Sequence, residues 1–401
     1  MKLYPSTRRS SLALLLCTAF LCTLCACGKQ TAPPSEQAAQ SADPIISASS
    51  AEPAGEGSAS AGGSAVEPIA PESSAAPEEG TPEQEESPLS LWREGSKAKA
   101  ELLEYVESVT REGSEDYIPE AERIAVFDVD GTLFCETDPI YFDWAMFAHR
   151  ALDDDTFDST EEQRDVARRI LDAGESGKVP GGLGEEQARL NASLYAGMTL
   201  EEFAAYTRSW LEQDAPGYEG MTRGEAFYRP MLELVDYLED KGFTVYACSG
   251  SDRFAVRVLL EGVLEPRQVI GTDVKLVAEG QGDEDGQFYV YSEGERLLRG
   301  ERLLVKNGKM NKVSALMREI GVKPVLCFGN AAGDESMAAF VTSDNPHRSM
   351  ACFVLCDDTE RERGNLEKAE KIRTLCREHG WGTISMGEDW ETIYGPGVTK
   401  R

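Results

Sequence analysis

Asp128 and Asp130 stand two residues apart in the run Asp128-Val129-Asp130-Gly131-Thr132. Two carboxylates side by side at a ligand-binding edge can divide nucleophilic and acid–base work between them. As hard oxygen donors they can also hold a divalent cation. Paired acids are common in solvated turns, so the spacing alone proves little, and its context sharpens it. The apolar run Ile124-Ala125-Val126-Phe127 reads as a short buried strand, and Gly131 permits a tight turn after it. In open α/β sheets ligands bind beyond the carboxyl ends of the strands, which is where this pair falls.

Other polar clusters follow apolar runs in the same way. Ser249-Gly250-Ser251-Asp252 comes after a strand expected over residues 243–248. Asn330 and Asp334 come after one over 325–328, and Asp357-Asp358 after 351–356, which reads as the last strand. Lys309 precedes a helix expected over 311–320, with Val313, Leu316, Met317 and Ile320 inward, and competes for its place with Lys306 and Lys312. A helix is expected over 99–110, and residues 139–224 read as mainly helical, with capping-box spacing at Thr199 and Glu202. Pro230 opens a further helix in its tolerated first turn, a third strand is expected at 268–270, and 275–305 reads as a β excursion with Asp285-Gly286 as its turn. Alternating strands and helices predict an α/β fold, a Rossmann-like parallel sheet with helices on both faces, whose polar clusters share one edge.

Taken in order, these clusters resemble the motifs of the haloacid dehalogenase superfamily, and specifically its phosphatases. Phe127-Asp128-Val129-Asp130-Gly131-Thr132 matches the first motif, and Tyr246-Ala247-Cys248-Ser249-Gly250-Ser251-Asp252 the second. The third lies in residues 307–313, and Phe328-Gly329-Asn330-Ala331-Ala332-Gly333-Asp334 resembles the fourth. The resemblance spans residues 120–360 or so. It implies that Asp128 attacks phosphorus to form an aspartyl-phosphate, and that Asp130 protonates the leaving alkoxide and then activates water. It further implies that Ser249 hydrogen-bonds a phosphoryl oxygen with Gly250 beside it, that Lys309 supplies positive charge, and that Mg²⁺ is held by Asp128, the main-chain carbonyl of Asp130, Asn330 and Asp334. Many relatives carry Asp where Asn330 stands, so this site has one negative charge fewer, and either Asn330 or Asp334 is the inner ligand. Residues 134–224 would be a helical cap, as in phosphoserine-phosphatase-like members, and 91–133 with 225–401 the core. In phosphoserine phosphatases a Glu one residue beyond the place of Glu136 binds the substrate's amino group. The aromatic run Tyr141, Phe142, Trp144 and Phe147 could cage a quaternary ammonium; a packed helix core is the expected reading.

The N-terminus speaks of location. Lys2, Arg8 and Arg9 precede an apolar stretch too short for a membrane span. Leu24-Cys25-Ala26-Cys27 resembles a bacterial lipobox with Cys27 as the lipidated residue and 1–27 as signal peptide; two acyl chains would anchor the chain to a membrane. Residues 28–90 form a Ser/Ala/Pro/Glu-rich linker without Lys or Arg between Lys29 and Arg93, and are expected to be disordered. A net charge of −31 argues against nucleic acid as a partner. The expectation is thus a lipid-anchored, extracytoplasmic, Mg²⁺-dependent phosphatase of a small phosphomonoester. Its alternative, motivated by Asn330 and Ala331-Ala332, is a binding lipoprotein on a catalytically degenerate scaffold.

Overall fold

The computed structural model describes residues 88–138 and 140–401. Cys27, the signal segment and the linker through residue 87 lie outside the described residues. Helix α1 (Lys97–Thr110) opens at Ser96, whose side chain accepts the Lys99 N–H at 3.0 Å. Strand β1 (Ile124–Phe127) is buried at all four positions, as a strand covered on both faces must be. Four helices follow: α2 (Phe142–Leu152), α3 (Glu161–Ser176), α4 (Leu183–Leu194) and α5 (Leu200–Leu211). Thr160 with Gln163 starts α3, and Thr199 with Glu202 starts α5, each a reciprocal capping box that satisfies two otherwise orphaned N–H groups. The short β2 (Tyr218–Glu219) leads to α6 (Arg229–Asp240), with Pro230 in its first turn. Then come β3 (Thr244–Asp252), α7 (Arg253–Leu259), β4 (Val269–Ala278), β5 (Leu297–Val305), α8 (Met310–Glu319), β6 (Leu326–Gly329), α9 (Glu335–Thr342), β7 (Met350–Leu355), α10 (Leu366–His379), β8 (Gly382–Ser385) and β9 (Thr399–Lys400).

Seven strands form one sheet in the order β5-β4-β3-β1-β6-β7-β8. Its neighbours pair in parallel except for the antiparallel β4 and β5. Side chains alternate between the faces. Ala125 and Phe127 lie in one buried cluster with Leu102 of α1, Leu234 of α6 and Val256 of α7, while Val126 lies in a second with Leu316 of α8, Met337 of α9 and Ile372 of α10. Helices therefore cover both faces, as the alternating pattern predicts. All six cysteines among the described residues are free.

The sheet does not end where the sequence pattern stops. Residues 351–356 were the expected last strand; β8 pairs beyond β7, reached through α10. α10 buries only Ala369, Ile372 and Cys376 in a highly charged stretch, and β8 is four residues opening on Gly382, so neither carries a strong periodicity. The expected third strand extends to Ala278 as β4, and Asp285-Gly286 lies in its long connection to β5.

Because β1, β3 and β6 are adjacent and parallel, the residues after each come to one edge. β5 runs the other way, with Val305 opposite Asp273, next to Thr272, which pairs with Asp252 at the end of β3. It thereby returns the chain to that same edge just before α8.

Candidate active site

Lys312 is the hub of the cluster. Its Nζ donates to Asp128 Oδ1 at 2.5 Å and to Asp334 Oδ1 at 2.7 Å. Burial and the neighbouring Asp334 push the Asp128 carboxyl up to about 7, against the downward pull of Lys312. For Lys312 itself burial acts downward, but Asp128 and Asp334 outweigh it and hold the ammonium above the ordinary lysine value. The place expected for Lys309 therefore belongs to Lys312. Lys309 is exposed and sits at the cap of α8 with φ +51°, outside the helix, so the helical phase that buries Lys312 and Leu316 does not extend back to it.

Asp130 is part of a second network. Ser251 Oγ lies 2.7 Å from Asp130 Oδ2 and 3.0 Å from Asp143 Oδ1, and Asp143 Oδ2 accepts the Asp252 N–H at 3.1 Å. A hydroxyl carries a single proton, so both contacts are hydrogen bonds only when one of the two carboxyls is itself protonated. Both pKa values are raised accordingly: Asp130 by burial and then by Asp143 and Asp128, Asp143 by burial against the opposing charge of Lys306. A carboxyl whose pKa is raised on folding stabilises the native state below its unfolded value, about 4, and that contribution is lost as pH rises through the folded value. Asp143→Asn removes one of the charges raising Asp130, so the loss should shrink. We expect the melting temperature of wild type to fall relative to Asp143→Asn as pH rises above about 4; parallel curves would refute the shared-proton reading.

Ser249, expected at the phosphoryl group, is fully buried and does not line the cavity; its Oγ accepts the Ser251 N–H at 3.0 Å. Gly250 and Ser251 form that part of the wall instead. The Gly250 carbonyl accepts Lys306 Nζ at 2.7 Å.

Asp334 Oδ2 accepts the N–H groups of Asn330 at 3.1 Å and Ala331 at 3.2 Å, so with Lys312 on Oδ1 both its oxygens are engaged. Asn330 Nδ2 donates to Glu136 Oε2 at 3.1 Å, which leaves the amide oxygen as the uncommitted end. Gly131 has φ +83°, and a Cβ there would lie 1.7 Å from Asn330 Nδ2; only glycine lets these two loops meet. Among the described residues no group of three or more His, Cys, Asp or Glu side chains is arranged for a metal ion. Asp128, the Asp130 carbonyl and Asn330 nonetheless form a hard-oxygen set of the sort Mg²⁺ uses, since it binds through one or two carboxylates and keeps waters and substrate phosphate as its other ligands.

The cavity above Asp128 holds about 360 Å³. Tyr141 and Trp144 line it from the helical insertion, their rings edge to face with centroids 5.0 Å apart, while Phe142 and Phe147 are buried in the core. Glu136 lines it too, with its carboxylate paired to Lys368 Nζ at 2.6 and 2.5 Å. Sequence reasoning missed Asp143, Ser251 and Lys368 and set Lys312 aside. An Asp inside the aromatic stretch 141–147 was the available signal for Asp143, and the helical phase of Leu316 for Lys312; nothing local marked Lys368.

A family model described as haloacid dehalogenase-like hydrolase matches residues 125–339. No curated protein matches the chain. Among solved structures, a protein of unknown function from Bordetella pertussis Tohama I is 16% identical, with 66% of this chain and 98% of that one covered at a TM-score of 0.42. A conserved, functionally unknown protein from Anaerococcus prevotii DSM 20548 is 13% identical, with 72% and 91% covered and a TM-score of 0.45. A phosphoserine phosphohydrolase-like protein from Francisella tularensis subsp. tularensis SCHU S4 is 12% identical, with 65% and 94% covered and a TM-score of 0.37.

Proposed function

The chain belongs to the haloacid dehalogenase-like hydrolase family, and from that premise we propose that it is a phosphomonoesterase working through an aspartyl-phosphate on Asp128. The observation that carries this reading is the buried Asp128 carboxylate, paired with Lys312 at 2.5 Å and two residues from Asp130, whose carboxyl lies 2.7 Å from the Ser251 hydroxyl that also contacts Asp143. Asp128 Oδ attacks phosphorus, and the bond from phosphorus to the leaving oxygen breaks as that oxygen takes a proton from Asp130. Asp130, now a carboxylate, accepts a proton from water; the water oxygen attacks phosphorus, and the acyl-phosphate bond breaks to return Asp128 and release phosphate. Lys312 keeps Asp128 oriented and, with Asp334, fixes the loop after β6. When bound, Mg²⁺ would neutralise phosphoryl charge and screen it from Asp128.

The residues that would hold the ion are Asp128, the Asp130 carbonyl and the Asn330 amide oxygen, with Asp334 outside the first layer because its oxygens are already engaged. The helical insertion, α2–α5, serves as the cap in this reading, and a cavity of about 360 Å³ suits a small phosphorylated metabolite. The lipobox at Cys27 supports a lipid-anchored, extracytoplasmic location, with the linker as tether.

The test is hydrolysis of p-nitrophenyl phosphate with Mg²⁺ and with EDTA, alongside fluoroberyllate binding as a mimic of the acyl-phosphate. Metal-dependent turnover with fluoroberyllate binding is expected. Folded protein showing neither would reject the enzyme in favour of a binding protein.

A further inference from the structure

Resting on the phosphomonoesterase reading, we infer that Lys368 sets the charge preference of the leaving-group side of the site: by cancelling Glu136 it selects esters with an uncharged leaving group over those carrying an ammonium. Glu136 is the carboxylate at the junction of two spaces. It lines the cavity above Asp128 and also a second one of about 420 Å³ beside it, with Tyr141, Val179 and Ala331 common to both walls. A leaving group extending away from phosphorus in this direction passes Glu136.

That carboxylate is already matched to a cation. A carboxylate accepts at about four lone-pair sites. Lys368 Nζ approaches both oxygens, at 2.6 and 2.5 Å, and Asn330 Nδ2 reaches Oε2 at 3.1 Å. The pair is shielded, with side-chain exposures of 25% for Lys368 and 12% for Glu136, so salt screens it less than a surface pair. An incoming ammonium would have to displace Lys368 and would meet its like charge on the way. Lys368 belongs to α10, beyond residue 339 where the family match ends.

A purely structural role, pinning α10 to the loop after β1, would change the stability or turnover of all substrates together. A selective role changes their ratio. The full-length protein with Mg²⁺ is assayed for kcat/KM on glycerol phosphate and on phosphoethanolamine. Wild type is expected to favour glycerol phosphate, and Lys368→Met to shift the ratio toward phosphoethanolamine by on the order of tenfold, the effect of one partly screened charge. Lys368→Arg should keep the wild-type ratio, and adding Glu136→Gln to Lys368→Met should cancel the shift. A wild-type preference for phosphoethanolamine, or a Lys368→Met variant that slows both esters equally, overturns the inference. Turnover of p-nitrophenyl phosphate in the same preparations reports separately on the phosphomonoesterase reading. Should no ester be hydrolysed, the calorimetric affinities of wild type and Lys368→Met for the two esters give the same ratio, and an unchanged ratio overturns the inference equally.

Discussion

Lys312→Met is expected to lose both turnover and stability, whereas Asp128→Asn should lose turnover alone. Lys312 is nearly inaccessible and bonds two buried carboxylates at 2.5 and 2.7 Å. Removing it leaves Asp128 and Asp334 facing each other without a counter-charge. Breaking a buried pair from one side costs about 3–5 kcal/mol, and losing a preorganised cation beside the reacting group costs roughly 10²–10³ in kcat. Asp128→Asn removes the proposed nucleophile but also the repulsion between Asp128 and Asp334, and Lys312 keeps Asp334 as partner. Its turnover should fall by more than about 10³ while its urea midpoint stays near that of wild type. Lys309→Ala, altering an exposed side chain, should leave both measurements unchanged. If Lys312→Met were active and Lys309→Ala inactive, the assignment of the catalytic lysine would revert to Lys309.

Arg299→Met should be among the most destabilising single changes in the fold. Arg299 is fully buried on β5, and its guanidinium donates to both Asp252 oxygens, at 3.2 and 2.6 Å, above the Phe203 ring at 3.9 Å. Asp252 also accepts Asn191 Nδ2 from α4 at 3.1 Å and the Phe254 N–H at the start of α7 at 2.9 Å. The Arg299 backbone exchanges hydrogen bonds with the segment before α5: its N–H reaches the Met198 carbonyl, and its carbonyl accepts the Gly197 N–H, both at 2.8 Å. One residue thus ties the end of β3, the β5 edge and the helical insertion together. Its loss should cost about 3–5 kcal/mol in urea unfolding. Lysine should restore only part of this, because it cannot offer two parallel donors. The double variant with Asp252→Asn should cost less than the sum of the singles, because the two share one interaction. An Arg299→Met midpoint equal to that of wild type would show that the pair adds nothing to stability.

The fold class and the sheet edge that carries the candidate site were legible from residue order alone. Ile124–Phe127 ending in Asp128 and Asp130, and Leu326–Gly329 ending in Asn330, are local patterns. A run of apolar residues makes a buried strand, and a parallel sheet delivers the ends of such strands to one edge. The capping box at Thr199 and the proline of α6 were legible for the same reason, since each depends on neighbours within four residues. What the sequence did not mark were partners far apart along the chain. Lys312 meets Asp128 across 184 positions, Ser251 meets Asp130 across 121, and Lys368 meets Glu136 across 232. Three lysines, at 306, 309 and 312, were equivalent as residue types. The turn at Lys309, with its positive φ, and the phase of α8 decided which one enters the site. Residue type and local period determine which groups exist and on which element. Which charges neutralise one another depends on a few ångströms of through-space distance, and only the packing of α8, α10 and the helical insertion against the sheet determines that.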